Sequence, residues 1–359
     1  MTFPVITLEG APYQQGLQHG EALDREITGN LEVYFHRFAL EGLNRERVLG
    51  YAEDYLIAIA AQSPAYFGGI RGIADASGHT VEEITALNLR YEILYYAYGQ
   101  SARTDGCTAF VVPPSRSTSG HLLIGQNWDW IPEIAGALVR STDGAGRKTL
   151  GFIEAGIFGE KIGLNSAGLG LAINGLSTTA DNWQRRSRPF HLRCYEALRA
   201  KDLAGAVEIV QAEPRACAAN FLLAQPPASA VDLEVAPRAV YRIDGANACF
   251  VHANHFLAPT DLGIVESDSE EHSRSCERQA RLEELLAARP YQSVADLQGA
   301  LADHQGFPHA ICYHVADDDP PDERFATVAS FVMDLDVRTM WVADGHPCDR
   351  EFQQLSLDA

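Results

Sequence analysis

The chain has 359 residues, 46% hydrophobic and 21% charged, which is enough apolar mass for one large core or two smaller ones and gives no segment the composition of a disordered tail. A formal charge of −20 and a pI near 4.9 describe a surface that repels phosphate backbones and anionic lipid, so neither nucleic acid nor membrane is an expected partner. No apolar run reaches the ~18 residues of a membrane span, and the first residues lack the basic-then-apolar order of a secretory signal. The seven cysteines (107, 194, 217, 249, 276, 312 and 348) include no C-x-x-C pair. A disulfide framework and a structural zinc knuckle are therefore both unexpected, and a reducing cytoplasm is the expected compartment.

In chain order, helical apolar spacing covers 12–39, 45–61 and 80–99. Thr80, with Glu83 three residues on, predicts a capping box. After Arg103 the pattern turns to strand over 108–112, closed by Pro113-Pro114, and again over 121–130, 136–140 and 148–155. Residues 161–175 alternate small and apolar side chains around Asn165-Ser166-Ala167-Gly168 and read as a hairpin. Helices follow over 189–200 and 203–212, then strands over 220–224, 231–235, 240–243 and 249–252. Two helices (272–288, 294–304) and three strands (311–315, 327–334, 339–343) complete the chain. Clustered helices and clustered strands predict a layered α+β architecture rather than a βαβ repeat. No internal repeat is present; Pro226-Pro227 and Pro320-Pro321 read as loops, and the acidic 317–322 as a solvated turn.

Asp105-Gly106-Cys107-Thr108 stands where helix gives way to strand, and two readings stay open. Cys107 can be a small buried hydrophobe, the usual fate of a cysteine outside a disulfide. It can also be a self-cleaving nucleophile: its thiolate attacks the Gly106 carbonyl, and hydrolysis of the thioester releases a new amino terminus. Glycine leaves that carbonyl unobstructed. The released α-amino group, with an ordinary pKa of about 7.7–8.0, can then serve as the base for its own thiol. In Gly125-Gln126-Asn127-Trp128-Asp129-Trp130, a hairpin turning at 115–120 would return Asp129 to Cys107, where a carboxylate could orient the ammonium group; a cap before Pro132 is the alternative. Trp128 and Trp130 favour a site wall. In His252-Ala253-Asn254-His255-Phe256, the Asn254 amide is either an oxyanion donor or a turn residue. His252 and His255 lack a carboxylate or cysteine to complete a ligand set, so no metal site is expected.

These stretches, together with GAPYQQGLQHG, TALNLRYEI, IEAGIFGEKIGLNSAGLGLAING, SCERQARLEELL and RFATVASFVMDLDVR, resemble the acyl-coenzyme A:6-aminopenicillanic acid acyltransferase family nearly end to end. This is the penicillin-maturing branch of the N-terminal-nucleophile hydrolases. The resemblance implies a four-layer αββα sandwich and a cut between Gly106 and Cys107. A helical prosegment or α-chain (1–106) and a β-chain (107–359) would then stay together as one composite domain. It implies Cys107 as nucleophile, Asp129 as the carboxylate beside the new amino group and facing the acyl acceptor, and Asn254 in the oxyanion hole. Arg324 matches an arginine that contacts a β-lactam carboxylate, a task that suits its planar fork. Glu323 stands where the penicillin-maturing members carry serine, which argues against a β-lactam here. Ala109-Phe110 makes the neighbourhood of the nucleophile more apolar than in those members.

Arg278, in Ser275-x-x-Arg278-x-x-Arg281, matches an active-site arginine of related hydrolases; the reading favoured from sequence is a surface arginine pairing with Glu277 or Glu284. Arg90 and Glu92 could order the cleavage region or pair on a helix surface, and Tyr91, Tyr95, Tyr96 and Tyr98 could be core or line an acyl pocket. The expected function is a self-activated cysteine amidohydrolase that acts on a small N-acylated molecule with an apolar acyl group through a Cys107 thioester, Trp128 forming part of its wall. Its alternative is an acyltransferase that passes the acyl group from an amide or a coenzyme A thioester to an amine. A non-catalytic binding protein is the third reading, disfavoured because Cys107, Asp129 and Asn254 occur together. No cofactor is expected.

Overall fold

The capping box expected at Thr80 forms, Glu83 N donating to the Thr80 hydroxyl at 3.2 Å and Thr80 N to Glu83 Oε2 at 2.9 Å. The computed structural model describes residues 3–101, 106–245, 248–264 and 269–358; Asp105 and the Tyr98 side chain of the sequence reading lie outside the described residues. Helices α1 (Pro12–Ala22), α2 (Asp24–Leu40), α3 (Arg45–Gln62), α4 (Pro64–Ser77), α5 (Val81–Asn88) and α6 (Arg90–Ser101) make up most of the first hundred residues. The single helix expected over 12–39 breaks at Leu23, whose φ of −128° leaves the helical region, and that over 80–99 breaks at Leu89. Helix α4 went unrecognised because its glycines are poor helix formers. They serve a tertiary purpose: a Cβ on Gly16 would overlap the Gly69 carbonyl, and one on Gly72 the Tyr13 carbonyl, so α1 and α4 pack backbone to backbone.

The strands are β1 (Val5–Gly10), β2 (Thr108–Val112), β3 (Leu123–Trp130), β4 (Gly136–Asp143), β5 (Lys148–Glu154), β6 (Ile162–Asn165), β7 (Gly170–Gly175), β8 (Ala219–Gln225), β9 (Ser229–Val235), β10 (Val240–Asp244), β11 (Phe250–His252), β12 (Ala326–Asp334), β13 (Thr339–Asp344) and β14 (Gln353–Ser356). The remaining helices are α7 (Phe190–Ala197), α8 (Leu203–Gln211), α9 (Pro259–Leu262), α10 (Glu270–Ala287) and α11 (Val294–Leu301). An eight-stranded sheet runs β1-β4-β5-β6-β7-β8-β9-β10 and a six-stranded sheet runs β11-β2-β3-β12-β13-β14. Only the β1–β4 pairing among these is parallel. The strand expected over 311–315 is a loop: its Ile311 carbonyl accepts from the Asn127 side chain and its Cys312 N–H donates to Asp303 O, so the backbone is satisfied without a ladder.

The two sheets face each other. Gln126 on β3 bonds both Ile173 N and Ile173 O on β7, at 2.7 and 3.1 Å, and the Phe152 ring lies 5.1 Å from Trp128 and 5.6 Å from Phe331. Leu282, Leu286, Leu297 and Leu301 of α10 and α11 cover Phe110, Val112, Leu123 and Val332 on the outer face of the six-stranded sheet. On the far side α7 and α8 cover the eight-stranded sheet, with Phe190 against Phe221 at 5.4 Å. The order of layers is helix, sheet, sheet, helix: the α+β four-layer arrangement that the family resemblance implied.

Candidate active site

The β2–β3 hairpin brings the sequence-predicted residues together. Thr108 pairs with Asn127; carried one and two residues further, the same antiparallel register sets Trp128 opposite Cys107 and Asp129 opposite Gly106. On the other side His252 pairs with Ala109, and the register continued two residues sets Asn254 opposite Cys107. Partners in an antiparallel pair point to the same face. Cys107, Trp128 and Asn254 therefore turn toward the space between the sheets, while Asp129 turns toward the outer side of its own sheet. Cys107 is fully buried, and its Sγ lies 3.7 Å from the Asp129 carbonyl oxygen.

Asp129 is also fully buried and is held from one side by Thr327, whose hydroxyl donates to Asp129 Oδ1 at 2.6 Å. Thr327 Oγ1 accepts in turn from Tyr313 N at 2.9 Å, and Thr327 N donates to Tyr313 O at 2.9 Å. A Cβ placed on Gly106 would lie 2.8 Å from Asp129 Oδ2 and 2.9 Å from the Tyr313 ring, so this position has room for glycine alone. Burial pushes the Tyr313 hydroxyl up to about 12, and that ring stays neutral at physiological pH.

Asn254 is fixed on three sides. Its N–H donates to Ser275 Oγ at 2.7 Å, its Nδ2 donates to Gly175 O at 3.1 Å, and its Oδ1 accepts from Arg278 Nη2 at 3.0 Å. The guanidinium claims the amide oxygen, which assigns the NH₂ end to the side of Gly175 on β7, across the inter-sheet space. The surface reading of Arg278 is corrected here. Ser275, Arg278, Gln279, Leu282 and Leu286 form the buried stripe of α10, and it is Arg281 that meets Glu284 and Asp303 at the surface.

Behind Trp128 lies a buried ionic cluster. Glu154 accepts from Arg90, Lys161 and the Tyr34 hydroxyl, and Trp130 Nε1 donates to the Tyr34 oxygen at 2.7 Å. The Lys161 ammonium sits 3.2 Å from the centroid of the Trp128 ring. Burial pushes Lys161 down to about 7 against the opposing pull of Glu154, while Arg90 and Lys161 together hold Glu154 well below the carboxylate range despite its burial. Arg90 and Glu92 do not pair with each other: Glu92 is buried and accepts from Phe190 N at 2.6 Å. Tyr91 and Tyr95 stack at 3.8 Å in the core.

Arg324 stands apart, half-buried, with its Nε donating to Asp319 O at 3.3 Å. Its chain neighbours Glu323 and Phe325, with Arg37, Glu41 and Leu94, line a groove of about 310 Å³. Phe325 meets Trp130 at 5.8 Å, which connects that groove to the wall beside Asp129. Sequence reasoning missed Thr327 and Tyr313. Thr327 lies within the quoted RFATVASF, yet its contact with Asp129 follows only from the β3–β12 register, which pairs the two.

The layered α+β fold thus brings a buried thiol, a buried carboxylate and an amide held by an arginine together around one strand end. The family described as acyl-coenzyme A:6-aminopenicillanic acid acyl-transferase matches residues 115–349, and the chain belongs to it. The matched stretch contains Asp129, Asn254, Arg278 and Arg324. An acyl-coenzyme A:6-aminopenicillanic-acid-acyltransferase 40 kDa form from Emericella nidulans is 29% identical over 317 residues, covering 86% of this chain and 84% of that protein. Among solved structures, an N-acylethanolamine-hydrolyzing acid amidase ortholog from Caenorhabditis elegans is similar with a TM-score of 0.46 and 14% identity, over 64% of this chain and 93% of that one. A mutant conjugated bile acid hydrolase from Clostridium perfringens gives 0.45 and 10%, over 70% and 96%. The chain is an enzyme of this acyltransferase family. No described helix is long and apolar enough to cross a membrane.

Proposed function

We propose that the chain cuts itself between Gly106 and Cys107 and then acts as a cysteine amidohydrolase on a small N-acylated molecule. The observation that carries this reading is the fit of Gly106 against the Asp129 carboxylate, where no side chain has room, beside a buried Cys107 whose strand register faces Asn254. In the cut, the Cys107 sulfur bonds to the Gly106 carbonyl carbon, the Gly106–Cys107 C–N bond breaks, and the nitrogen takes up the thiol proton. Water then hydrolyses the thioester and restores the thiol. The new Gly106 carboxylate stands against Asp129, and the two like charges drive the released end out of the site. In turnover, the α-amino group of Cys107 accepts the thiol proton, the sulfur attacks the substrate carbonyl, and the amine leaves with that proton. Asn254 donates to the oxyanion, Asp129 orients the ammonium group, and water resolves the acyl-enzyme.

The prosegment (1–106) and the β-chain (107–359) stay together in this reading. Arg90 and Tyr34 on one side of the cut bind Glu154 on the other, and Gly156 N donates to His19 Nε2 at 3.0 Å across the same boundary. Arg324, Trp128 and the groove beside Phe325 supply the substrate contacts. An apolar acyl group suits the aromatic wall of Trp128 and Trp130, and the reducing cytoplasm suits seven cysteines that form no disulfide among the described residues. Transfer of the acyl group to an amine, with a coenzyme A thioester as donor, is the second reading; the name of the Emericella relative favours it. Intact mass under denaturing conditions tests the proposal. Fragments ending at Gly106 and beginning at Cys107 support it, and a chain that stays whole on prolonged incubation removes it.

A further inference from the structure

Four ligand-bearing side chains outside the active site converge on one point. His304 follows α11, Cys312 and His314 lie in the loop before β12, and Cys348 follows β13. Their ligand atoms all lie within 4.8 Å of one another. His314 Nε2 is approached by His304 Nε2 at 3.2 Å, by Cys312 Sγ at 3.4 Å and by Cys348 Sγ at 3.6 Å. A ring nitrogen carries either one proton or one lone pair, so it can satisfy one such neighbour, not three.

A shared cation accounts for the convergence. Bonds of about 2.0–2.1 Å to nitrogen and about 2.3 Å to sulfur make a tetrahedron with edges of about 3.3 Å between nitrogens and about 3.5 Å between nitrogen and sulfur. The three separations from His314 Nε2, 3.2, 3.4 and 3.6 Å, match those edge lengths, and the remaining pairs lie within 4.8 Å. The loops that present the ligands are already tied: Cys312 N donates to Asp303 O at 3.1 Å, His314 N to Pro308 O at 2.8 Å, and Gly345 N to Val328 O at 2.8 Å. The His346 ring stacks on His314 with centroids 4.0 Å apart and planes 3° apart, which fixes the orientation of His314.

We propose that His304, Cys312, His314 and Cys348 bind one structural zinc ion. Two thiolates and two imidazoles in a tetrahedral set suit zinc, and four protein ligands leave no open position for catalysis. Binding displaces the two thiol protons. The purpose lies in Tyr313, which two ligands flank. Its ring packs on Gly106, and its backbone holds the Thr327 that holds Asp129. Zinc clamps this wall of the active site from behind. In the sequence only Cys312-x-His314 is a compact pattern; His304 stands earlier in the same connection between α11 and β12, and Cys348 arrives from the segment after β13.

The test is zinc content by mass spectrometry of the full-length protein, incubated with zinc and desalted. About one zinc per chain is expected, with a drop of about fivefold or more in Cys348→Ser and in His304→Gln, both at exposed positions. Cobalt added to the metal-stripped chain should give the visible bands of a tetrahedral thiolate site, and Cys348→Ser should lose them. Zinc should also raise the melting temperature of the stripped protein. The proposal is overturned if wild type retains no zinc and native Cys348 is alkylated equally fast with and without it. It is equally overturned by a Cys312–Cys348 disulfide in the freshly purified chain, or by bound zinc that leaves the melting temperature unchanged.

Discussion

Gly106 and Asp129 face each other at the open end of the β2–β3 pair, so closely that a Cβ on Gly106 would stand 2.8 Å from Asp129 Oδ2. Gly106→Ala must therefore push the carboxylate aside or shift the Gly106–Cys107 peptide, the bond proposed to be cut. A displacement of about 1 Å at a reacting centre slows a positioned reaction about a hundredfold. The expected result is a chain that folds with a normal far-UV spectrum but yields its two fragments at least about tenfold more slowly, read as mass against time. Gly106→Ala processed at the wild-type rate would show that the contact is irrelevant to the cut.

Thr327 supplies the hydroxyl that Asp129 Oδ1 accepts. Thr327→Val keeps the shape and removes the donor, leaving a buried carboxylate short of a hydrogen bond and costing about 1–3 kcal/mol. Denaturant unfolding should show this loss, and Thr327→Ser should restore most of it together with turnover.

Arg278 orients Asn254 through the amide oxygen. With Arg278→Leu the amide is no longer constrained to present its NH₂ end, and kcat should fall about a hundredfold or more with a smaller change in KM, as for loss of an oxyanion donor. Arg278→Lys should rescue only part, because a point ammonium lacks the guanidinium's fixed plane. Equal losses in kcat and in thermal stability, in proportion, would point to a merely structural arginine.

Glu154 is fully buried against Arg90, Lys161 and Tyr34. Glu154→Gln leaves the buried Arg90 guanidinium without its anion, while Lys161 can shed its proton, and should destabilise the fold by about 3–5 kcal/mol. Size-exclusion chromatography of processed Glu154→Gln protein should show the 1–106 fragment separating from the remainder at a denaturant concentration that leaves wild type intact.

Burial pushes the Glu92 carboxyl up to about 7. Between its ordinary value and about pH 7 the folded chain holds a proton that the unfolded chain has lost. The stability this group contributes is thus complete at low pH and is lost as pH rises through about 7. The full effect is on the order of 3 kcal/mol. Glu92→Gln should flatten the fall in melting temperature between pH 5 and pH 8; a slope identical to wild type would mean that Glu92 is ionised throughout.

The order of elements was legible wherever local pattern and local chemistry agree. The Thr80–Glu83 box, the 161–175 hairpin and the β2–β3 hairpin lie within short stretches whose apolar periods and turn residues act on near neighbours. Strand β1 was invisible because its partner β4 lies some 130 residues downstream and its own burial is slight. The expected strand at 311–315 had the apolar content of a strand but pairs only at Tyr313, in an isolated bridge to His309.

The same division holds at the site. The sequence by itself named Cys107, Asp129 and Asn254 as candidates, each with a structural alternative, because a cysteine after glycine, a carboxylate between tryptophans and an amide past a strand are local features; the family resemblance joined them into one expected site. Only the tertiary structure decided that the strand leading to Asn254 pairs with the strand leading from Cys107, that Arg278 leaves the surface to hold Asn254, and that Thr327 and Tyr313 close around Asp129. It also decided that His304, Cys312, His314 and Cys348, from two connecting segments, meet at one point. These are contacts between residues tens to hundreds of positions apart. Sheet register and helix packing set them, and both depend on which faces the whole chain buries together.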